Sequence, residues 1–256
     1  MARLLPVIGL VAALAVAAAL PRSAVQAFDL VGYAICHRIP ERSFFVGGTQ
    51  LPLCARDTGT FSSALLTLVL FTATTRGRPA RFPRLPYILF LGTFALAWAA
   101  DGFNSYVALV TGQPLVYPPQ NWLRLLTGAG MGSALAVLLV VLFNQTTWQT
   151  PSPVAPIERP IDLWRVAVGI ALTLGAYLWR PDFLYAPLAA LSGIGVVALL
   201  SVVNGLIVMV VLRRHTCAVA LRDLALPMAL GVLLAAVEIG GIAGLRLALI
   251  GPVFIP

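Results

Sequence analysis

Charge is scarce in this chain. Only 10% of its 256 residues are charged, and all 17 basic residues are arginine, with no lysine. Soluble domains carry about 25% charged residues. With 60% hydrophobic residues and a mean hydropathy of +0.94, the composition excludes a soluble protein and specifies an integral membrane one. Three cysteines are too few for a disulfide-rich scaffold, although one bridge remains open. The net charge of +8 does not form a basic surface, because the arginines stand singly or in short clusters at the ends of apolar runs. That placement marks membrane anchoring and topology, and no nucleic-acid partner is expected. A Gly-rich nucleotide loop, a His-Glu-x-x-His pair and a nucleophile elbow are also missing.

What is present is a series of apolar runs. A membrane-spanning helix needs roughly 17–25 mostly apolar residues, and the candidates are 4–20, 58–75, 86–110, 122–143, 164–179, 187–212 and 224–250. The expected fold is therefore all-α, a polytopic transmembrane helical bundle of about seven spans. It has six if the first is cleaved, since Arg3, an apolar run and Val25-Gln26-Ala27 have the form of a leader peptide. The spans divide into a four-span half (1–143), a flexible connector (144–163) containing Pro151, Pro153, Pro156 and Pro160, and a three-span half (164–256). Glycines at 128, 130 and 132, and at 240, 241 and 244, predict close helix packing.

Arg76, Arg78, Arg81 and Arg84 fill one short loop, and Arg213, Arg214 and Arg222 another. By the positive-inside rule both loops face the cytoplasm, which puts the amino terminus inside and residues 21–57 outside. Arg22, Arg38, Arg42 and Arg56 run against the rule, and three of them fall within a polar cluster that gives them a functional reason. In this topology Asp101, Asn104, Asn121, Arg124, Glu238 and Arg246 all lie from mid-membrane outward. A charge in the bilayer costs about 2.5–3.5 kcal/mol on insertion scales, so such groups face a cavity or each other. Asp101 and Arg124 are expected to face the bundle interior and interact directly or through water.

The polar cluster consists of Cys36-His37-Arg38-Ile39-Pro40-Glu41-Arg42-Ser43-Phe44 and Pro52-Leu53-Cys54-Ala55-Arg56-Asp57-Thr58-Gly59. Cys36, His37, Cys54 and Asp57 offer the sulfur, nitrogen and oxygen donors that zinc accepts. Adjacent Cys36 and His37 can bind one ion only in a turn. Zinc is one candidate cofactor, and without it the sequence points to none. The alternatives are a Cys36–Cys54 disulfide, which an oxidising outer compartment permits, or free, redox-active thiols. Cys217, at the cytoplasmic end of the sixth span, can reach neither. His37 could instead hydrogen-bond Asp101 or Glu41, and His215 reads as a helix-end cap. Arg38, Arg42, Arg56 and Arg124 form either an anion or lipid-headgroup site or the neutralising partners of Glu41, Asp57 and Asp101. Asp101 and Glu238 are the candidate proton carriers, with Ser43, Asn104, Asn121 and Thr127 in support.

The combination Cys-His-x-x-Pro-x-Arg-Ser-Phe, Gly-x-Gln-x-Pro-x-Cys-Ala-Arg-x-Thr-Gly, Asp-Gly and Asn-x-x-Arg-x-x-Thr-Gly resembles an uncharacterised family of predicted prokaryotic multi-pass membrane proteins. The resemblance covers roughly residues 30–140. It assigns family motif positions to Cys36, His37, Pro40, Arg42, Ser43, Cys54, Arg56, Thr58, Gly59, Asp101, Gly102, Asn121, Arg124, Thr127 and Gly128. The family usually carries a second cysteine where this chain has Asp57. The resemblance implies a site in a prokaryotic cytoplasmic membrane but no reaction. The expected protein has an outward-facing polar pocket, with zinc-dependent chemistry on a lipid-linked or amphipathic substrate. The second reading is an accessory or assembly subunit of a larger membrane complex, stapled by the disulfide, and the third is a transporter. Membrane lipids are partners in every case.

Overall fold

The computed structural model describes residues 4–251, so Arg3 of the leader-like start lies outside the described residues. A helix occupies each of the seven apolar segments: α1 (Leu5–Ala19), then, after the short α2 (Arg22–Val25) and α3 (Ala27–Ile35), α4 (Ala55–Thr74), α5 (Leu85–Thr111), α6 (Asn121–Thr147), α7 (Trp164–Trp179), α8 (Tyr185–Val211) and α9 (Ala225–Ile250). The fold is helical, as expected, with one addition. Between α3 and α4 lies an antiparallel hairpin, β1 (Ser43–Val46) and β2 (Thr49–Cys54), in the register Ser43↔Cys54, Phe45↔Gln50 and Val46↔Thr49. Its two-residue turn is Gly47-Gly48 with positive φ at both, the geometry whose twist suits a tight hairpin.

Five runs are long and apolar enough to cross a membrane, against the seven expected: Leu85–Thr111, Asn121–Thr147, Pro160–Trp179, Asp182–Val211 and Leu221–Ile250. α1 has only 15 residues, about 22 Å of helix. α4 falls short in hydropathy because it is a buried hub. Its Thr58, Thr60, Ser62, Ser63 and Thr67 are buried, and their hydroxyls are satisfied inside the bundle. Ser63 and Thr67 both bond Ser133 of α6 (2.7 and 3.0 Å), and Ser62 bonds Tyr177 of α7 (2.8 Å). A chain of small hydroxyl residues lets neighbouring helices approach where leucines would hold them apart.

α4 and α6 run parallel, both starting beside the hairpin. Arg246, near the carboxyl end of α9, and Ser105, near that of α5, also reach the segments flanking the hairpin. The opposite end gathers the three long connections. Ser152 donates to Arg78 O (2.9 Å), Thr216 to Thr146 O (2.7 Å), Gln149 to Ala218 O (3.0 Å), and the Arg78 guanidinium stacks 3.5 Å over Trp148. The proline-rich connector, which begins at Trp148 because α6 runs on to Thr147, is thus tied to its neighbours. The two arginine-rich loops share one end of the bundle and the Cys/His cluster lies at the other. One apolar core, including Val25, Phe44, Val46, Leu51, Leu125, Tyr177, Tyr185 and Leu188, joins the hairpin to α6, α7 and α8.

The glycine expectation divides. A Cβ at Gly128 or Gly132 would strike the α4 backbone, whereas at Gly240, Gly241 and Gly244 it would meet nothing within 4 Å. Among the described residues, Gly240, Gly241 and Gly244 therefore do not pack against another helix, whereas Gly231, earlier in α9, rests on the α8 backbone.

Candidate metal centre

α3 ends at Ile35, and Cys36 leaves it in extended conformation (φ −124, ψ 150). Arg38 follows in the left-handed region at φ 48. This break in the helix places adjacent Cys36 and His37 on one side, the turn their joint use requires. Close approach brings in the second thiol. Gly32 of α3 rests on the Pro52 carbonyl, where a Cβ would lie 1.8 Å from the oxygen, so Cys36, one turn later, meets Cys54 at the end of β2.

The donor atoms of Cys36, His37 and Cys54 all lie within 4.8 Å of one another, and His37 is more exposed than the two buried thiols. Cys36 Sγ is 3.7 Å from His37 Nδ1 and accepts a hydrogen bond from the Cys54 N–H (3.2 Å). Asp57 stands one step outside this triad and ties to it by accepting the Cys54 thiol proton at Oδ2 (3.2 Å). Asp57 sits in the first turn of α4, where the helix dipole favours a carboxylate, but burial and the neighbouring Cys36 sulfur push its carboxyl up to about 7. Both cysteines are free thiols, so the expected alternative of a Cys36–Cys54 bridge is corrected: the sulfurs are neighbours without a bond. The hydrogen bond shared with Cys54 pulls the Cys36 thiol well below its ordinary range, against its burial and with help from His37. Cys54 is pushed up by that same hydrogen bond, by burial and by the Asp57 charge. One thiol is thereby set up as a thiolate, the form that binds metals.

Arg246 supports the triad from α9. Its guanidinium donates to the carbonyls of Tyr33 (2.6 Å) and Cys36 (2.7 Å) and lies 4.7 Å over the Tyr33 ring. It thus satisfies carbonyls at the carboxyl end of α3, where a cation is favoured. A lone arginine late in an apolar run gives no sequence signal of this target.

Beside the triad lies a polar cluster between α4, α5 and α6. Asp101, 1% exposed, is salt-bridged to Arg56 at 2.5 Å and accepts a hydrogen bond from the Tyr117 hydroxyl at 2.9 Å. Arg56 and Arg124 also reach the Ser105 hydroxyl (3.2 and 3.4 Å), and Arg42 donates to the Ser105 carbonyl (2.8 Å). Arg124 donates further to Asn121 Oδ1 (2.7 Å). The direct salt bridge of Asp101 thus goes to Arg56 and not to Arg124. Arg56 takes the carboxylate because it projects from the first turn of α4 toward α5, and Arg124 reaches the same neighbourhood through Ser105.

The remaining candidates are dispersed. Arg38 is 2% exposed and salt-bridged to Asp29 at 2.8 Å. Glu238 sits on the exposed side of α9 and accepts a hydrogen bond from Asn204 (2.8 Å), a polar contact of its own. Ser43 bonds the Ile39 carbonyl and Gln50, and Asn121 donates to the Glu41 and Ser43 carbonyls, so both brace the hairpin. Asn104 holds the 116–117 backbone, and Thr127 bonds only its own helix. Sequence reasoning missed Ser105 and Tyr117. Ser105 lies one turn after Asp101 and hence on the same face, a signal that was present. Tyr117 lies in an uncharged loop that offered none.

Residues 36–138 match the family described as Predicted membrane protein (DUF2085). The matched stretch holds both polar motifs, Asp101, Ser105 and Arg124, and leaves out Glu238 and Arg246. An uncharacterized protein of Methanocaldococcus jannaschii is 25% identical over 115 residues, covering 45% of this chain and 67% of that protein. An uncharacterized protein of Methanothermobacter thermautotrophicus is 35% identical over 115 residues, covering 42% of this chain and 86% of that protein. No solved structure matches the chain.

Proposed function

The chain belongs to this family of predicted membrane proteins, and from that premise we propose that it holds zinc at Cys36, His37 and Cys54 and acts on a lipid-linked or amphipathic substrate. The carrying observation is the convergence of two thiols and an imidazole within 4.8 Å. Zinc binds sulfur at about 2.3 Å and imidazole nitrogen at about 2.0–2.1 Å in a tetrahedron, which sets neighbouring donors about 3.5–3.8 Å apart. The 3.7 Å between Cys36 Sγ and His37 Nδ1 already meets that spacing. Asp57 is the natural fourth donor, and a carboxylate there yields to water more readily than a thiolate. Three firm donors and one exchangeable position is the plan of catalytic zinc sites. When bound, the ion supplies polarisation of an oxygen or activation of water. Asp101 holds Arg56 in place beside the triad, and Arg246 fixes the Cys36 backbone.

Elemental analysis of detergent-purified protein tests this reading. Wild type should carry stoichiometric zinc, His37→Ala and Asp57→Ala should lose most of it, and Asp57→Cys should retain it. Each variant should still elute as a folded bundle. Wild type without bound metal sinks the proposal. A second reading, a non-catalytic subunit of a larger complex, is favoured by the open Gly240, Gly241 and Gly244 surface of α9, which suits a partner helix.

On this reading the triad lies outside a prokaryotic cytoplasmic membrane and the arginine loops inside, in accord with the positive-inside rule. Cys217 is exposed at the arginine-loop end. An impermeant thiol reagent should label it only after lysis, and labelling in intact cells would invert the topology.

A further inference from the structure

We propose that Arg42, Arg56 and Arg124 form the headgroup site for a phosphate-bearing lipid whose apolar chain lies in the groove between α5 and α6. This deepens the reading above by giving its substrate an anionic group, and it rests on that reading only for what the bound lipid is used for.

Three guanidinium groups converge on Ser105: Arg56 and Arg124 at its hydroxyl, and Arg42 at its carbonyl. Among the described residues a single carboxylate, Asp101, is salt-bridged to any of them, and that bridge goes to Arg56. Asp101 is further engaged by Tyr117. Among the described residues the hydrogen-bond acceptors of Arg42 and Arg124 are neutral, namely the Ser105 carbonyl, the Ser105 hydroxyl and Asn121 Oδ1. Of the other nearby carboxylates, Asp57 is directed to Cys54, and Glu41 is exposed and forms no salt bridge. The cluster thus has about two positive charges more than it neutralises. Arg124 bears one of them at 6% exposure, where a cation without a counter-charge is costly. A phosphate carries about the charge required, and its tetrahedral oxygens suit the fork of an arginine.

The source of the phosphate follows from what lies alongside. A groove of about 300 Å³ runs between α5 and α6, from Ala95 and Met131 on the side of the arginine cluster to Phe82, Pro83 and Val141 toward the arginine-loop end. Ala95 lies about 9 Å along α5 from Asp101, and Met131 about 10 Å along α6 from Arg124. A long acyl chain spans that distance, so a single amphipathic molecule with its headgroup among the arginines could lay the later part of its chain in the groove. Arg56 and Asp57 are consecutive, so that headgroup would lie beside the zinc donors.

Thermal unfolding of the detergent-purified protein, titrated with dioleoyl phosphatidic acid, dioleoylglycerol or inorganic phosphate, tests this. Phosphatidic acid should raise the unfolding temperature of wild type in a saturable manner, and dioleoylglycerol should not. Arg42 is half-buried, so Arg42→Gln should fold. It should weaken the apparent affinity for phosphatidic acid about tenfold, the loss expected from one charge-assisted hydrogen bond. Arg124→Gln should weaken it at least as much if it folds. Asp57→Ala should keep the lipid response, so failure of the metal site and failure of the lipid site read out separately. An equal response in wild type and Arg42→Gln, or no response to phosphatidic acid, overturns the proposal. Inorganic phosphate acting as strongly as the lipid overturns the lipid assignment.

Discussion

Gly132→Val should leave little folded protein after detergent extraction. A Cβ at this position would sit 2.0 Å from the Thr60 carbonyl oxygen, 2.8 Å from its carbon and 3.0 Å from the Ala64 nitrogen. These are backbone atoms of α4, so no side chain can swing aside and the two helices must separate. Separation would also pull apart the Ser63–Ser133–Thr67 hydroxyl contacts and leave polar groups unpaired in the bundle interior. Overpacking alone costs about 1–3 kcal/mol, and each buried hydroxyl left unsatisfied adds about 1–3 kcal/mol. Gly128 makes the same contact one turn earlier, with a Cβ 2.2 Å from the Arg56 carbonyl oxygen. Parting the helices there would displace the arginine cluster as well. Gly240→Val is the matched control, since its Cβ meets nothing within 4 Å, and it should stay within about 0.5 kcal/mol of wild type. Monodisperse yield by size-exclusion chromatography and the unfolding temperature are the readouts. Wild-type values for Gly132→Val would mean that α4 and α6 do not meet at this crossing.

The contrast between Gly132 and Gly240 marks where sequence reading stops. Both lie in glycine-rich helical runs, and nothing local distinguishes them, because what differs is whether another helix lies across that face. The helices themselves were legible: apolar length alone placed each of the seven to within a few residues of its ends. The expected span at 58–75 is a helix, but the small hydroxyl residues that fit α4 for the bundle centre keep its hydropathy below that of the five membrane-crossing candidates. The hairpin has one local signal, the tight turn Val46-Gly47-Gly48-Thr49, and its strands are too short to show an alternation of their own beside the polar residues that flank them. Cys36, His37 and Cys54 could be grouped from sequence because few residues in the chain can bind a metal at all. The arginine partners could not be assigned in the same way. Whether Asp101 meets Arg56 or Arg124 depends on how three helices are rotated about their axes, and spacing along one helix does not contain that. Arg246, over two hundred residues from Cys36, is an extreme case of the same limit.

Asp101→Ala should destabilise the bundle by about 3–5 kcal/mol, the cost of removing one partner from a buried ion pair. The carboxylate is 1% exposed and, among the described residues, is the only one salt-bridged within the arginine cluster. Its loss would leave Arg42, Arg56 and Arg124 facing one another around Ser105, and the Tyr117 hydroxyl without its acceptor. The identity of the partner makes the test sharp. If Arg56 is the ion-pair partner, Asp101→Ala with Arg56→Leu should recover part of the loss, because the stranded cation is removed along with the carboxylate. Asp101→Ala with Arg124→Leu should recover less, since Arg56 would remain charged and unpaired. Unfolding temperatures of the three single and two double variants complete two mutant cycles, which isolate each pairwise coupling. A larger coupling of Asp101 to Arg124 than to Arg56 would reverse the pairing. Strict additivity in both cycles would mean that the carboxylate stabilises the bundle through Tyr117 and the loop that follows α5, and not through either arginine.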